Sequence, residues 1–311
     1  MLSKQRNLIV TGCDQTYFPL AKSLIESIQA QKTLNYFTIA FLDGGLSVTN
    51  KKWLENKGVC LKKIDFVDAQ HQKKLKNRRT LLVNYYKPRL NLLFPEFDNI
   101  IFLDADTWVQ TDQAFRYLLQ ASNALKLGIV SQASRLQDKH ITLREHFFSK
   151  LFNRYEPRGI LYKNGLKAKL SRDLLKKLIV RPVLNCGVYA LNKHAPHWQY
   201  WQNWQETVLK KGRVFTSDQL SLALAVIEND LKCELLPDIC NFLNPPIWRF
   251  DESINMFTDL YLPHDPISII HLAGMNNRLS ESLSVMCVNQ NDQIITKKIH
   301  YSLYKEESEK V

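Results

Sequence analysis

The stretch NIIFLDADTWVQTD, residues 99–112, decides how the rest of the chain is read. Its apolar run, residues 100–103, predicts a buried strand that delivers Asp104 and Asp106 at its carboxyl end. In an extended chain, side chains two apart point to one side, roughly 7 Å from each other. Like charges so placed repel, and each raises the other's pKa unless a cation lies between them. That cation is either a hard divalent ion, manganese or magnesium, which also holds phosphate oxygens, or a nearby lysine or arginine.

Working outward, strand and helix signals alternate. NLIVTGC (7–13), YFTIAFLDGG (36–45) and VCLKKIDF (59–66) read as strands. YFPLAKSLIESIQAQ (17–31) and NKKWLENKG (50–58) read as helices, and NYYKPRLNLLFP (84–95) as a helix entered at or just before Pro88. Such alternation predicts an α/β fold with a largely parallel sheet covered on both faces. Ligands of these sheets gather at the carboxyl ends of the strands, where Asp14, Asp43 and the Asp104/Asp106 pair fall. After LGIVSQAS (127–134) comes a basic insertion at about 135–181, helical in its second half. PVLNCGVYALN (182–192) resumes the sheet. Two helices follow, one carrying Trp198, Trp201 and Trp204, the other opening at Ser217 as N-cap. ISIIHLAG (267–274) is a late strand, and the tail beyond residue 280 is of mixed charge. This divides the chain into a main domain over 1–280 and a C-terminal extension over 281–311.

Composition sets the surroundings. The 311 residues carry a net charge of +12, which favours anionic partners: nucleic acid, an acidic membrane or phosphorylated small molecules. Six cysteines are scattered without a C-x-x-C pair, which favours a reducing compartment. The N-terminal residues lack the pattern of a secretion signal, and no run of some twenty apolar residues occurs. A cytoplasmic protein is expected.

Three further pieces carry chemistry. His271 follows an apolar strand and completes, with the aspartates, a set of two carboxylates and one imidazole, if the two strand ends meet. Asn185 and Gly187 mark either a close approach of backbone to ligand or a β-bulge. Asp218 and Gln219 open a helix, where Asp218 complements the dipole or faces a site. The three tryptophans at i, i+3, i+6 read as core packing before they read as sugar platforms.

The ordered set CDQTY, FLDGGLS, YKPRLNLLFPEFDNIIFLDADTWV, LNCGVYALN, SDQ and IIHLAG resembles the retaining nucleotide-sugar glycosyltransferases of family 8. That family includes lipopolysaccharide galactosyl- and glucosyltransferases and glycogenin-like enzymes, and the likeness covers roughly 7–134 and 182–275. The resemblance implies a GT-A fold, a Rossmann-like mixed sheet flanked by helices, here with the basic helical insertion and the C-terminal extension. It implies Mn2+ or Mg2+ held by Asp104, Asp106 and His271 against the diphosphate of a UDP-sugar donor. Asp14, Thr16 and Tyr17 would meet the uracil, Tyr17 by stacking, and Arg89 and Asp104 would approach the donor sugar or ribose. Asn185, Asp218 and Gln219 would line the reaction centre, with Gln219 under the anomeric carbon.

Relatives commonly carry G-x-x-K-P-W after the metal histidine; here Gly274 is present, Asn277 stands at the lysine, and Arg278 is the candidate substitute. The acceptor implied is a saccharide or glycolipid, such as lipopolysaccharide, with the basic surface in peripheral contact with an anionic inner membrane. No nucleic-acid module is recognisable, so no nucleic acid is expected as partner. Two other readings stay open: a nucleotide-sugar-binding relative with weak catalysis, and a basic protein of membranes or polyanions. A D-x-D-x-T phosphatase would need its motif near the start of the domain and a later acidic pair. A sugar nucleotidyltransferase would open on a Gly-rich phosphate loop, whereas VTGCDQTY has one glycine.

Overall fold

In the computed structural model, strands form where apolar side chains are claimed alternately by two covered faces. It describes residues 5–67, 72, 73, 75, 79–131, 142–145, 155–275, 279–280, 283–302 and 305. The first half contains β1 (Asn7–Cys13), α1 (Phe18–Ala30), β2 (Thr38–Asp43), α2 (Val48–Asn56) and β3 (Cys60–Lys63). Next come α3 (Leu82–Tyr86), α4 (Leu90–Leu93), β4 (Asn99–Leu103), β5 (Thr107–Val109), α5 (Gln113–Asn123) and β6 (Leu127–Ser131). Ile9, Phe41, Ile101 and Leu103 point into one core, covered by α1 and α5. Leu8, Val10, Ala40, Leu42, Ile100 and Phe102 point into the other, with residues of α3 and α4. A strand presents alternate residues to opposite faces, so burial on both turns β1 and β4 into continuous apolar runs.

The insertion holds β7 (Thr142–Glu145) and β8 (Tyr155–Arg158), an antiparallel ribbon, then α6 (Ile160–Lys167) and α7 (Arg172–Ile179). Leu161, Leu175 and Leu178 of these helices pack on Val208, Leu220 and Leu224. The remainder of the expected insertion, including residues 135–141 and 146–154, lies outside the described residues. The chain continues with β9 (Leu184–Asn192), α8 (His197–Lys211), α9 (Ser217–Glu228) and β10 (Cys233–Leu235). The main sheet has seven strands in the order β10-β6-β9-β4-β1-β2-β3. It is mixed, because β9 runs antiparallel to both β4 and β6 while the other pairs are parallel.

A small sheet positions the site. It comprises β11 (Phe242–Leu243), β14 (Ile269–His271) and β5, in the order β11-β14-β5. A third sheet, β13-β12-β15-β16, joins β12 (Trp248–Asp251) and β13 (Met256–Thr258) to β15 (Ser284–Val288) and β16 (Ile294–Lys298) of the tail. Val285, Cys287, Ile299 and Tyr301 share a core with Trp108, Phe242, Trp248 and Phe257. The tail therefore closes over the small sheet.

Two local expectations need correction. The helix expected at Pro88 begins at Leu82 and passes through a tight 3-10 turn, Lys87–Arg89. The missing N–H of Pro88 is harmless in such a first turn. Ser217 is the first residue of α9, and Thr216 occupies the cap position at φ 65° with no side-chain cap bond. Trp198 and Trp201 are buried beside Tyr189, so the Trp-rich helix is core. Among the described residues no helix is long and apolar enough to cross a membrane, and all six cysteines are free.

Candidate metal centre

Asp104 and Asp106 stand on the turn between β4 and β5, not on an extended strand. Thr107 donates to Asp104 O from both its backbone N (3.1 Å) and its hydroxyl (2.8 Å), which closes the turn. Antiparallel pairing of β14 with β5 sets His271 opposite Thr107, and Leu272 N donates to Asp106 O at 2.8 Å. His271 Nε2 thereby lies 3.2 Å from Asp106 Oδ1 and 4.0 Å from Asp104 Oδ2. One ligand atom from each residue falls within 4.8 Å of the others. The turn brings the carboxylates closer than the 7 Å of an extended chain, and the two strand ends do meet.

The imidazole is oriented from behind. His271 Nδ1 lies 2.8 Å from Asn241 Oδ1, so Nδ1 donates to that amide oxygen and Nε2 faces the carboxylates. Two carboxylates and an imidazole form a donor set suited to a hard divalent ion such as Mn2+ or Mg2+. Gly187 makes room for this ring: a Cβ there would sit 2.3 Å from His271 Cε1 and 2.9 Å from Nδ1. The β6–β9 pairing slips at this point, Ile129 opposing Tyr189 and Val130 opposing Asn185. Asn185 Oδ1 accepts from Gly187 N at 2.8 Å, and Gly187 O accepts from Asp104 N at 2.7 Å. The bulge is real, and it is the ring of His271 that comes close to its glycine.

Behind Asp104 stands a lysine that the sequence reading missed. Lys87, 3% exposed, places Nζ 2.9 Å from Asp104 Oδ1 and 3.1 Å from Asp218 Oδ2, and donates to Cys186 O at 3.2 Å. Burial works against its charge, but the two carboxylates outweigh it and raise the ammonium above the usual lysine range. Burial and the Asp106 charge hold the Asp104 carboxyl above its ordinary value, against Lys87 and His271. Asp104 thus has a lysine on Oδ1, while its Oδ2 faces His271 in the cluster that could hold a metal ion.

Arg89 is engaged within the fold. Its guanidinium donates to Tyr85 O (2.8 Å) and to Gln205 Oε1, lies over the Tyr85 ring and pairs with Glu206 at 3.6 Å. It ties the 3-10 turn to α8, while Lys87 reaches Asp104. The available signal was the YKPR block itself, in which lysine stands two residues before arginine.

The other candidates line the same edge of the sheet. Asp14, just after β1, accepts at Oδ1 from Thr16 N (3.1 Å) and Tyr17 N (3.4 Å); Thr16 is exposed and Tyr17 half-buried. Burial first, then the charges of Asp14, Asp43 and Asp106, hold the Cys13 thiol well above its usual value, so these carboxylates share one rim. Asp218 is buried, with Asn84 Nδ2 at 3.5 Å from Oδ1. Gln219 Nε2 donates to Leu184 O at 2.7 Å. Gly274 has φ +74°, and a Cβ there would meet nothing within 4 Å among the described residues. Asn277 and Arg278 lie outside the described residues.

Residues 8–155 match Glycosyl transferase family 8. No curated protein sequence matches the chain. Among solved structures it is similar to the apo form of the WbbM bifunctional glycosyltransferase, with TM-score 0.55 and 17% identity. That match covers 89% of this chain and 47% of WbbM, so the chain spans about half of that relative's length. It is also similar to an active-site mutant of LgtC, with TM-score 0.55, 12% identity and coverage of 97% and 95%. Mouse xyloside xylosyltransferase 1, in its apo form, gives TM-score 0.52 and 13% identity over 87% and 98%. At these identities the structural likeness shows the fold, which is GT-A.

Proposed function

We propose, for a chain that carries a glycosyltransferase family 8 domain on a GT-A fold, that it transfers a hexose from a UDP-sugar to a saccharide or glycolipid acceptor. The observation that carries this reading is the convergence of Asp104, Asp106 and His271 beside the buried Lys87–Asp218 pair. The three ligands would hold Mn2+ or Mg2+. Bound there, the divalent ion supplies positive charge to the leaving diphosphate, so that no proton transfer is needed. Gly274 and Arg278 are assigned to the diphosphate, Arg278 in place of a lysine. Asp14, Thr16 and Tyr17 are assigned to the uracil, where the Asp14 turn fixes the approach of Tyr17.

The sugar becomes oxocarbenium-like as its bond to the diphosphate breaks. Lys87 fixes the carboxylates of Asp104 and Asp218, and Asn185 is locked to Gly187 N at the bulge. The bond from Gln219 to Leu184 O fixes its amide, whose oxygen is assigned to the anomeric carbon. An aspartate paired with a buried ammonium is a weakened nucleophile, which favours front-face attack with retention over a covalent intermediate on Asp218.

The net charge of +12 and the lysine-rich helices α6 and α7 support an acceptor at an anionic surface, such as lipopolysaccharide at the cytoplasmic face of the inner membrane. Release of UDP from a panel of UDP-sugars, with and without manganese, tests the reading. Metal-dependent release from one donor, reduced at least a hundredfold in Asp106→Ala, is expected. Release that ignores both metal and substitution would refute it.

A further inference from the structure

The reaction centre depends on the start of α9, and that start is not held by α9 itself. Thr216 sits at the cap position with φ 65° and ψ 10°, a conformation that a β-branched residue rarely adopts. Its side chain makes no cap bond to the helix, and the buried Ser217 hydroxyl has no partner among the described residues. Backbone held in such a region persists only when its surroundings over-determine it.

The hold comes from the insertion. Asn164 of α6, 2% exposed, turns its amide into the loop between α8 and α9. Its Oδ1 accepts from Arg213 N at 2.7 Å. Its Nδ2 lies within donating distance of Arg213 O (3.2 Å), Phe215 O (3.3 Å) and Thr216 Oγ1 (3.3 Å). A Cβ on Gly212 would stand 3.0 Å from Asn164 Oδ1 and 2.6 Å from Val208 O, so glycine allows the loop this close to α6. The clasp ends one residue before Ser217, and the next two side chains are Asp218, paired with Lys87, and Gln219, bonded to Leu184 O.

We infer that Asn164 is a positioning residue: from the insertion, it holds the 213–216 loop so that Asp218 and Gln219 meet the donor sugar. This rests on the transferase reading above. The clasp bonds to the 213–216 loop, and Asp218 reaches Asp104 only through Lys87, whereas Asp106 and His271 stand on the β4–β5 turn and on β14, so loss of the clasp acts more on turnover than on metal or UDP binding. A displacement of reacting groups by about 1 Å is enough to cost on the order of a hundredfold in rate.

The test compares wild type, Asn164→Ala, Asn164→Asp, and Asn164→Ala/Thr216→Gly. Asn164→Asp keeps the shape and the bond from Arg213 N but sets a carboxylate against the carbonyls of Arg213 and Phe215, which guards against a simple cavity effect. Both single variants are expected to lower kcat for UDP release at least tenfold. UDP affinity in manganese should stay within threefold, and hydrogen exchange should rise in 213–222 but not in 99–109. Glycine at 216 accepts a positive φ without the clasp, so the double variant should recover part of kcat. Wild-type kcat in both single variants would overturn the inference. So would a loss of kcat that only follows the loss of UDP affinity and is not relieved by Thr216→Gly. A wild type inactive on every donor would overturn the transferase reading and this inference with it; an active wild type with unimpaired variants would overturn this inference alone.

Discussion

At Lys87 a full positive charge is held in the interior, 2.9 Å from Asp104 and 3.1 Å from Asp218. Such an ion pair is weak evidence for stability when compared with an apolar core, but removing one partner strands the other charges. Lys87→Met therefore lowers unfolding stability by about 3–5 kcal/mol. Adding Asp218→Asn to it restores part of that loss, a coupling that urea titration of the four chains in the double-mutant cycle reads directly. A Lys87→Met chain within about 0.5 kcal/mol of wild type, the range of ordinary surface substitutions, would contradict the assignment. The same residue marks where the sequence becomes illegible. Asp104, Asp106 and His271 could be picked out because each follows an apolar strand. Lys87 sits among helical residues, where a lysine normally faces water. Only its meeting with Asp104 and Asp218, both outside its own turn, makes it an interior cation.

Among the elements, α8 shows how burial turns a side chain into a pH-sensitive group. His197 opens this helix, 1% exposed, with Nε2 3.0 Å from Lys232 O. Burial pushes its pKa down to about 4, against the opposing pull of that hydrogen bond. Unfolded, the ring titrates near its ordinary value of about 6.5. Between these values the unfolded chain takes up a proton that the folded chain refuses. This contribution is thus complete above about pH 6.5 and is lost as pH falls toward 4, by roughly 3 kcal/mol at most. Urea unfolding at pH 7 and pH 4.5 should show the loss in wild type and a smaller one in His197→Gln. Equal losses in both would contradict the burial argument. Strands and most helices were readable because two buried faces leave continuous apolar runs and amphipathic helices leave a 3.6-residue rhythm. The start of α9 was misread for a physical reason. Serine is a good cap by type, but Asn164 sets the loop so that Thr216 takes the cap position instead.

On the scale of the molecule, the tail is the least legible part. Its strands β15 and β16 are short and half-buried, and their partner β12 lies more than thirty residues earlier, so no local pattern announces the pairing. In the structure Val285, Cys287, Ile299 and Tyr301 complete the core that contains Trp108, and Trp108 pairs across from Ile270, the neighbour of His271. Burying one large apolar side chain contributes about 1.5–3 kcal/mol. Ending the chain after residue 282 should therefore remove stability comparable with a whole domain's margin of about 5–15 kcal/mol. The expected result is a chain that binds a hydrophobic dye and loses cooperative melting. A truncated chain that melts within about 3 °C of full length would show that the tail is dispensable.

The central claim is that three side chains from two strand ends make one metal centre that serves a UDP-bound donor. Calorimetric titration of UDP into wild type and His271→Ala, each with and without manganese, tests it most directly. His271 contributes no negative charge, so its loss leaves the acidic character of the site intact and removes only a ligand. The account predicts UDP binding in wild type that manganese strengthens, and at least a tenfold weaker manganese-dependent binding in His271→Ala, in line with ligand-sphere losses elsewhere. Equal UDP affinity in all four titrations would contradict it.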